Sequence, residues 1–229
     1  MDKEYTQYLL EKTKTDFNRI ASDFSRTRKH PWPELTAVFQ GYVKEGDKVL
    51  DVGCGNGRLL ELYAGKGVNY IGVDNSFAQI KEAKKKYPGR NFRVADALTL
   101  PFPDKSFDNV FAVAVLHEIP SLEFRNLFLR EARRVLRDKG LLFLSVWDLR
   151  NRIGLILKYS FLKLIGRSKL DWKDVFIPWN NKIERYYHVF GKKEIIKLVE
   201  DAGFSIVRTG IARKQDRSNA NLYLIARKP

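Results

Sequence analysis

VLDVGCGNG, residues 49–57, decides how this chain is read: an apolar strand carrying one aspartate runs into a turn with glycine at 53, 55 and 57. The following stretch, LLELYAGKG, reads as a helix. A strand that turns into a helix through glycines brings bare backbone close to a ligand, and a helix N-terminus adds unpaired N–H groups, so the unit makes a nucleotide pocket. The spacing discriminates among nucleotides. A dinucleotide fingerprint needs its third glycine where Arg58 stands, which argues against a pyrophosphate-bound NAD or FAD.

Reading onward, a second apolar strand, NYIGVD, ends on Asp74, whose carboxylate is placed to accept both ribose hydroxyls of an adenosine lying across the switch point of a parallel sheet. A third, NFRVADALTLPF, carries Asp96 beside Ala97, where a carboxylate can accept an adenine amino group. SFDNVFAVAVLHEI and GLLFLSVWD supply the fourth and fifth strands, joined by a crossover helix, LEFRNLFLREARRVLR, that closes at an Asp138-Lys139-Gly140 turn. This order of motifs resembles the class I S-adenosylmethionine-dependent methyltransferases from about Val49 to the C-terminus. The resemblance implies an α/β fold: a Rossmann-like seven-stranded sheet with helices on both faces and an antiparallel C-terminal strand. It also implies an S-adenosyl-L-methionine pocket made by Asp51, Gly53, Gly55, Asp74, Asp96, Ala97 and the backbone around Val115. A fortuitous glycine turn in another α/β protein would leave four motifs in order unexplained.

The 229 residues suit one domain with additions. The expected parts are an N-terminal helical cap (1–45), a cofactor-binding core (46–147), a basic aromatic insertion (148–187) and a C-terminal helix with a hairpin (188–229). Apolar content of 44% with no apolar run near the roughly 18 residues of a membrane span predicts a soluble chain. The charged N-terminus lacks a secretory h-region, which predicts a cytoplasmic protein without integral membrane association. Cys54 is the only cysteine, which excludes an intramolecular disulfide and a multi-cysteine zinc site, and no metal ligand set is expected.

Charge says more about partners. Forty-two Lys and Arg against 27 Asp and Glu leave +15, suited to a polyanion, although solubilising surface charge gives the same total. The cations gather at Arg26, Arg28, Lys29 and His30, at Lys81, Lys84, Lys85, Lys86 and Arg90, and between Arg150 and Arg185. An N-terminal helix over about 5–22 has a polar middle that reads as a bend, and Pro33 or Glu34 starts a second helix. The insertion combines an amphipathic basic helix, 153–165, with an aromatic-rich loop holding Trp172, Phe176 and Trp179. It reads as an RNA contact, a membrane-surface helix or a lid over the cofactor.

DFNRIASDFSRTRKHPWPELTAVF, LHEI, DVFIPW and RYYHVF together resemble the tRNA wobble-uridine carboxymethyl methyltransferases, including the methyltransferase domain joined to an AlkB-like hydroxylase in animals. That resemblance touches nearly the whole chain. It implies tRNA as partner, no role for DNA, a small zinc-binding activator subunit as in eukaryotic relatives, and esterification of the carboxylate of 5-carboxymethyluridine. LHEI departs from the paired histidine of the family, with Glu118 where a second histidine often stands. A carboxylate acceptor is already ionised and a sulfonium methyl already electrophilic, so transfer needs alignment more than a strong base. The candidate catalytic residues are therefore His117, at the methyl-bearing end of the pocket, and Arg185, whose fork can hold the acceptor carboxylate, with Tyr186, Tyr187 and His188 shaping the same pocket. Arg28 is expected at the methionine carboxylate of the cofactor. The plainer alternatives are a strand-end histidine, an Arg185 surface ion pair with Glu184 or Asp201, and Arg28 as a helix cap or a phosphate contact. At the level of function, a methyltransferase of a small-molecule or lipid-linked acid competes with the tRNA enzyme, and a non-catalytic RNA-binding relative is disfavoured by the intact pocket residues.

Overall fold

Strand-forming runs rich in Val, Ile, Leu and Phe alternate with amphipathic helices from residue 48 onward, and in the computed structural model they assemble one mixed sheet. The structure describes residues 1–180, 183–214 and 220–229. Its seven sheet strands are β1 (Lys48–Val52), β2 (Asn69–Asp74), β3 (Asn91–Val94), β4 (Phe107–Val113), β5 (Leu136–Trp147), β8 (Ser205–Arg213) and β9 (Ala220–Arg227). A separate two-stranded sheet pairs β6 (Asp174–Trp179) with β7 (Ile183–His188). The large sheet runs β3-β2-β1-β4-β5-β9-β8, parallel through β5, with β9 antiparallel between β5 and β8. The order reverses at β1 and β4, and the crevice outside their C-terminal ends is where such sheets bind ligands.

Both faces of the sheet are covered, because the central strands are buried on both sides. One face sets Leu50, Val52, Val110, Ala112, Leu142 and Leu144 against α4 (Leu122–Val135) and α6 (Lys192–Asp201). The opposite face sets Val49, Phe111, Phe143 and Ile225 against α2 (Pro33–Phe39) and α3 (Phe77–Lys86). Phe111 and Phe143 stack there with centroids 4.2 Å apart.

Four expectations are corrected. The N-terminal helix, α1 (Lys3–Thr27), is a single run of 25 residues without a bend, because its polar middle lacks Gly and Pro and pairs Lys12 with Asp16 one turn on. Residues after the glycine turn form a 3-10 segment, Arg58–Tyr63, not an α-helix, and Gly65 and Gly67 at φ 75° and 64° end it. Asp138-Lys139-Gly140 is not a turn before the strand but an irregular part of β5, where the pairing with β4 shifts register and Lys139 takes φ 65°. The insertion carries α5 (Ile153–Leu164) and then a hairpin rather than an aromatic loop: Phe176 and Trp179 lie in β6, since DVFIPW is built of β-formers and pairs with IERYYH.

Candidate active site

The turn after β1 closes tightly. Gly53 and Cys54 both donate N–H bonds to the Val73 carbonyl, at 2.8 and 2.9 Å, which ties the turn to β2. Gly53 sits at φ 70°, and a Cβ on it would lie 2.4 Å from Cγ2 of Val115, so only glycine fits. Asp74, at the end of β2, accepts N–H bonds from Gly55 at Oδ2 and from Ser76 at Oδ1, each 2.9 Å long. These bonds fix the carboxylate, yet burial outweighs them and pushes Asp74 up to about 6. Each oxygen keeps a second lone pair for a ligand hydroxyl. Asp51 is buried beneath the turn, accepts the Tyr70 hydroxyl at 2.6 Å, and is pushed up to about 7 by desolvation. Asp96 follows β3 and holds the Leu98 N–H at 2.8 Å.

All eight expected cofactor residues, Arg28, Asp51, Gly53, Gly55, Asp74, Asp96, Ala97 and Val115, line one cleft at the C-terminal ends of β1, β2 and β4. The chemistry of the lining fits an adenosylmethionine: fixed carboxylates at the end of β2 and after β3, bare backbone between them, and cations toward the far end. The roof was not legible as such in the sequence. Leu10, Thr13, Phe17 and Phe24 of α1 line the cleft, and Asn18 holds the helix down by accepting from Ser76 Oγ at 2.8 Å and Ala78 N at 3.1 Å. Of these four only Phe17 belongs to the apolar face that periodicity gives the helix, and nothing local says that a ligand lies beneath it.

At the other end of the cleft β7 divides RYYH by strand alternation. Arg185 and Tyr187 face the cleft side. Tyr187 stacks on His117 at 5.2 Å and on Trp147 at 5.3 Å. Tyr186 turns the other way, into a small core with Leu9 and Leu170, and His188 is held by Asp174 at 2.7 Å and Glu194 at 2.9 Å. Tyr186 and His188 thus support the hairpin and are not brought to the pocket. Arg185 is 5% exposed, so it is no surface residue, and its partner is Glu118, not Glu184 or Asp201. Only Nη2 is used in that pair; Nε and Nη1 are buried without hydrogen-bond partners among the described residues.

His117 is fully buried behind the lining, with both ring nitrogens unpartnered, and desolvation followed by the Arg185 charge holds it neutral, well below its usual range. Glu118 takes the place on the cleft wall that sequence reading had given to His117. Burial pushes Glu118 up to about 7 against the pull of Arg185. Its importance was signalled in the sequence only as a departure from a family pattern. Arg28 ends α1 and lies 4.0 Å over Trp179 and 4.9 Å over Phe24. Trp32 and Trp147 complete this end.

A family model described as a methyltransferase domain matches residues 50–144, the stretch that builds the glycine turn and the strands around it. A protein of Encephalitozoon cuniculi named as a methyltransferase is 31% identical over 85% of this chain and 87% of its own length. The chain belongs to the S-adenosylmethionine-dependent methyltransferases. S-adenosylmethionine is the methyl donor of this methyltransferase, and its fold is that of class I, as the solved structures agree. A SAM-dependent methyltransferase from Methanosarcina mazei superposes with a TM-score of 0.71, 26% identity, and coverage of 87% of this chain and 98% of that one. The Schizosaccharomyces pombe tRNA (carboxymethyluridine(34)-5-O)-methyltransferase is 29% identical over 93% of this chain and 94% of its own. A Haloferax volcanii methyltransferase solved in complex with the Trm112 methyltransferase activator shares the fold at TM-score 0.73 and 19% identity, covering 95% and 97%. Among the described residues no helix of the methyltransferase is long and apolar enough to cross a membrane, and no group of three or more His, Cys, Asp or Glu is placed to hold a metal.

Proposed function

We propose that this methyltransferase esterifies the carboxylate of 5-carboxymethyluridine at the wobble position of tRNA, in the cytoplasm. The observation that carries the reading is the pair of buried, unpartnered nitrogens on Arg185 at the cleft wall, since a buried guanidinium with unused N–H groups is costly unless a ligand oxyanion completes it. Relatives bearing the tRNA carboxymethyluridine name and the net charge of +15 support the polyanionic substrate.

In this reading Asp74 takes the ribose hydroxyls, Asp96 and the Ala97 backbone meet the adenine, Gly53 and Gly55 admit the cofactor close to the turn, and Arg28 faces its methionine carboxylate. The bound donor supplies an electrophilic methyl group. Arg185 aligns the acceptor carboxylate, and Tyr187 and Trp147 keep water from it. Glu118 and the acceptor then share one guanidinium. Because Glu118 is already pushed up to about 7, it takes a proton as the second carboxylate arrives, which relieves the repulsion. His117, neutral and buried, backs the Tyr187 ring and has a nitrogen 4.0 Å from Glu118. The activator-bound Haloferax neighbour supports a small activator subunit as a further partner.

One observation favours a second reading, a lipid-linked acid as acceptor. The outer face of α5 exposes Ile153, Leu157, Phe161 and Leu164, each 60% exposed or more, beside Lys158 and Lys163. Nucleoside mass spectrometry of tRNA from a deletion strain separates the two. Loss of the methyl ester with accumulation of the free acid supports the tRNA enzyme; an unchanged nucleoside profile refutes it.

A further inference from the structure

Two arginines stand at the seam between the cofactor cleft and a second cleft that opens beside it, and both line each of them. Arg58, the first residue after the glycine turn, is 9% exposed and lies 3.6 Å over the ring of Trp32. It shares the ring of Phe24 with Arg28, at 5.7 and 4.9 Å. Neither arginine forms an ion pair among the described residues; the Arg28 guanidinium gives one hydrogen bond, to Thr27 Oγ1 at 2.8 Å.

Two carboxylates also line the second cleft, Asp148 and Glu34, and neither pairs with Arg28 or Arg58. Asp148 is held by two 2.8 Å bonds from Arg150, and Glu34 receives the Asn221 amide at 3.5 Å. Burial, then the charge of Arg28, pushes Arg58 down to about 9. Asp51 and Glu61 are the carboxylates whose charge reaches Arg58, and neither is in ion-pair contact with it, so its guanidinium has room for an oxyanion from outside. Lys29 at the mouth extends the positive lining, and Trp32 and Trp147 give it flat apolar walls. Cations interleaved with indoles are the chemistry that holds a phosphodiester and stacks its base.

We infer that Arg58, beside the Arg28 that faces the methyl donor, forms an oxyanion subsite for a phosphodiester of single-stranded RNA, and that the second cleft takes the nucleotide next to the acceptor. The inference rests on the tRNA reading for its biological ligand but not for its test. The competing source of the oxyanion is the carboxylate of the methyl donor.

Binding of a fluorescent oligouridylate by anisotropy and of S-adenosylmethionine by calorimetry distinguishes them, on the parent protein, Arg58→Ala and Lys29→Glu. Arg58→Ala is expected to weaken oligouridylate about tenfold, to flatten the salt slope by ~0.7 for one lost phosphate contact, and to change donor affinity less than twofold. Unchanged oligouridylate affinity overturns the subsite, as does a loss confined to the donor. If Arg58→Ala does not fold, Lys29→Glu at the exposed mouth decides: weakened oligouridylate binding supports the subsite and unchanged binding refutes it. Oligouridylate carries no acceptor group, so the outcomes stay separate. Binding through Arg58 without esterification of tRNA refutes the acceptor alone, and esterification with an unaltered Arg58→Ala affinity refutes the subsite alone.

Discussion

Placing a methyl group on Gly53 tests the cofactor turn at its tightest point. The cost has two parts that can be measured separately. Backbone at φ 70° disfavours any residue with a Cβ by about 1–2 kcal/mol. The added carbon also lies 2.4 Å from Cγ2 of Val115, so Val115 must move, and overpacking of this kind costs about 1–3 kcal/mol. Gly53→Ala should therefore lose roughly 2–5 kcal/mol in urea unfolding. It should also weaken S-adenosylmethionine, because the displaced Val115 lines the cleft. Val115→Ala in the same chain removes the overlap but not the backbone strain. The cycle of single and double variants should thus show a favourable coupling of about 1–3 kcal/mol. A Gly53→Ala protein as stable as its parent, or a cycle with no coupling, would contradict the geometry of this turn.

Three further outcomes follow from the site. Arg185→Met leaves Glu118 buried without its partner; Glu118, already pushed up to about 7, then takes a proton, so the cost should be that of an unsatisfied polar group, about 1–3 kcal/mol, and smaller in a Glu118→Gln background, while turnover falls about 100-fold and donor affinity is kept; stability losses that simply add would sink the pair. In the donor-free protein Asp51, Asp74 and Glu118 hold protons to about pH 7, 6 and 7, which the unfolded chain releases near pH 4. Stability from these groups is therefore lost as pH rises from about 4 to 7, opposed below about pH 6.5 by His117, which the unfolded chain protonates and the fold does not. Glu61 and Glu194, where burial is outweighed by hydrogen bonds that hold them down to about 2, act in the opposite sense only below about pH 5. Above it three carboxyls outweigh one imidazole, so the urea midpoint should fall between about pH 5.5 and 6.5, and a rising midpoint there would count against the burial of these groups. Affinity for tRNA should drop steeply with salt, and charge reversal at Lys84 or Lys85, both exposed on α3, should weaken it with a shallower slope; filter binding that stays flat across a salt series would assign the excess charge to solubility.

The sheet and its pocket were legible because each depends on local sequence. Val49 to Gly57, Asp74 and Asp96 announce themselves by strand ends and glycines, and the structure brings them to one cleft. What escaped depends on contacts between distant segments. The polar middle of the unbroken α1 is held by Lys12 meeting Asp16 and the Glu184 carbonyl, and the second of these is invisible in a linear reading. The hairpin of β6 and β7 was hidden by Pro178 and the aromatics, which suit a loop as well as an edge strand. Arg185 was read as a pocket residue, but its link to Glu118 spans 67 positions and no periodicity reports it. Arg58 was used only to exclude a dinucleotide fingerprint, because its lack of a carboxylate partner appears only once its neighbours are known.

The most direct measurement is methylation in vitro: purified protein, labelled S-adenosylmethionine, and tRNA carrying 5-carboxymethyluridine at the wobble position, with the digested nucleosides resolved by mass spectrometry. An activator subunit is added in a parallel reaction. The account predicts label in a single modified uridine, as a methyl ester that mild alkali returns to the acid, and its loss in Arg185→Met. Label in no nucleoside in either reaction, or label that survives alkali, would contradict it.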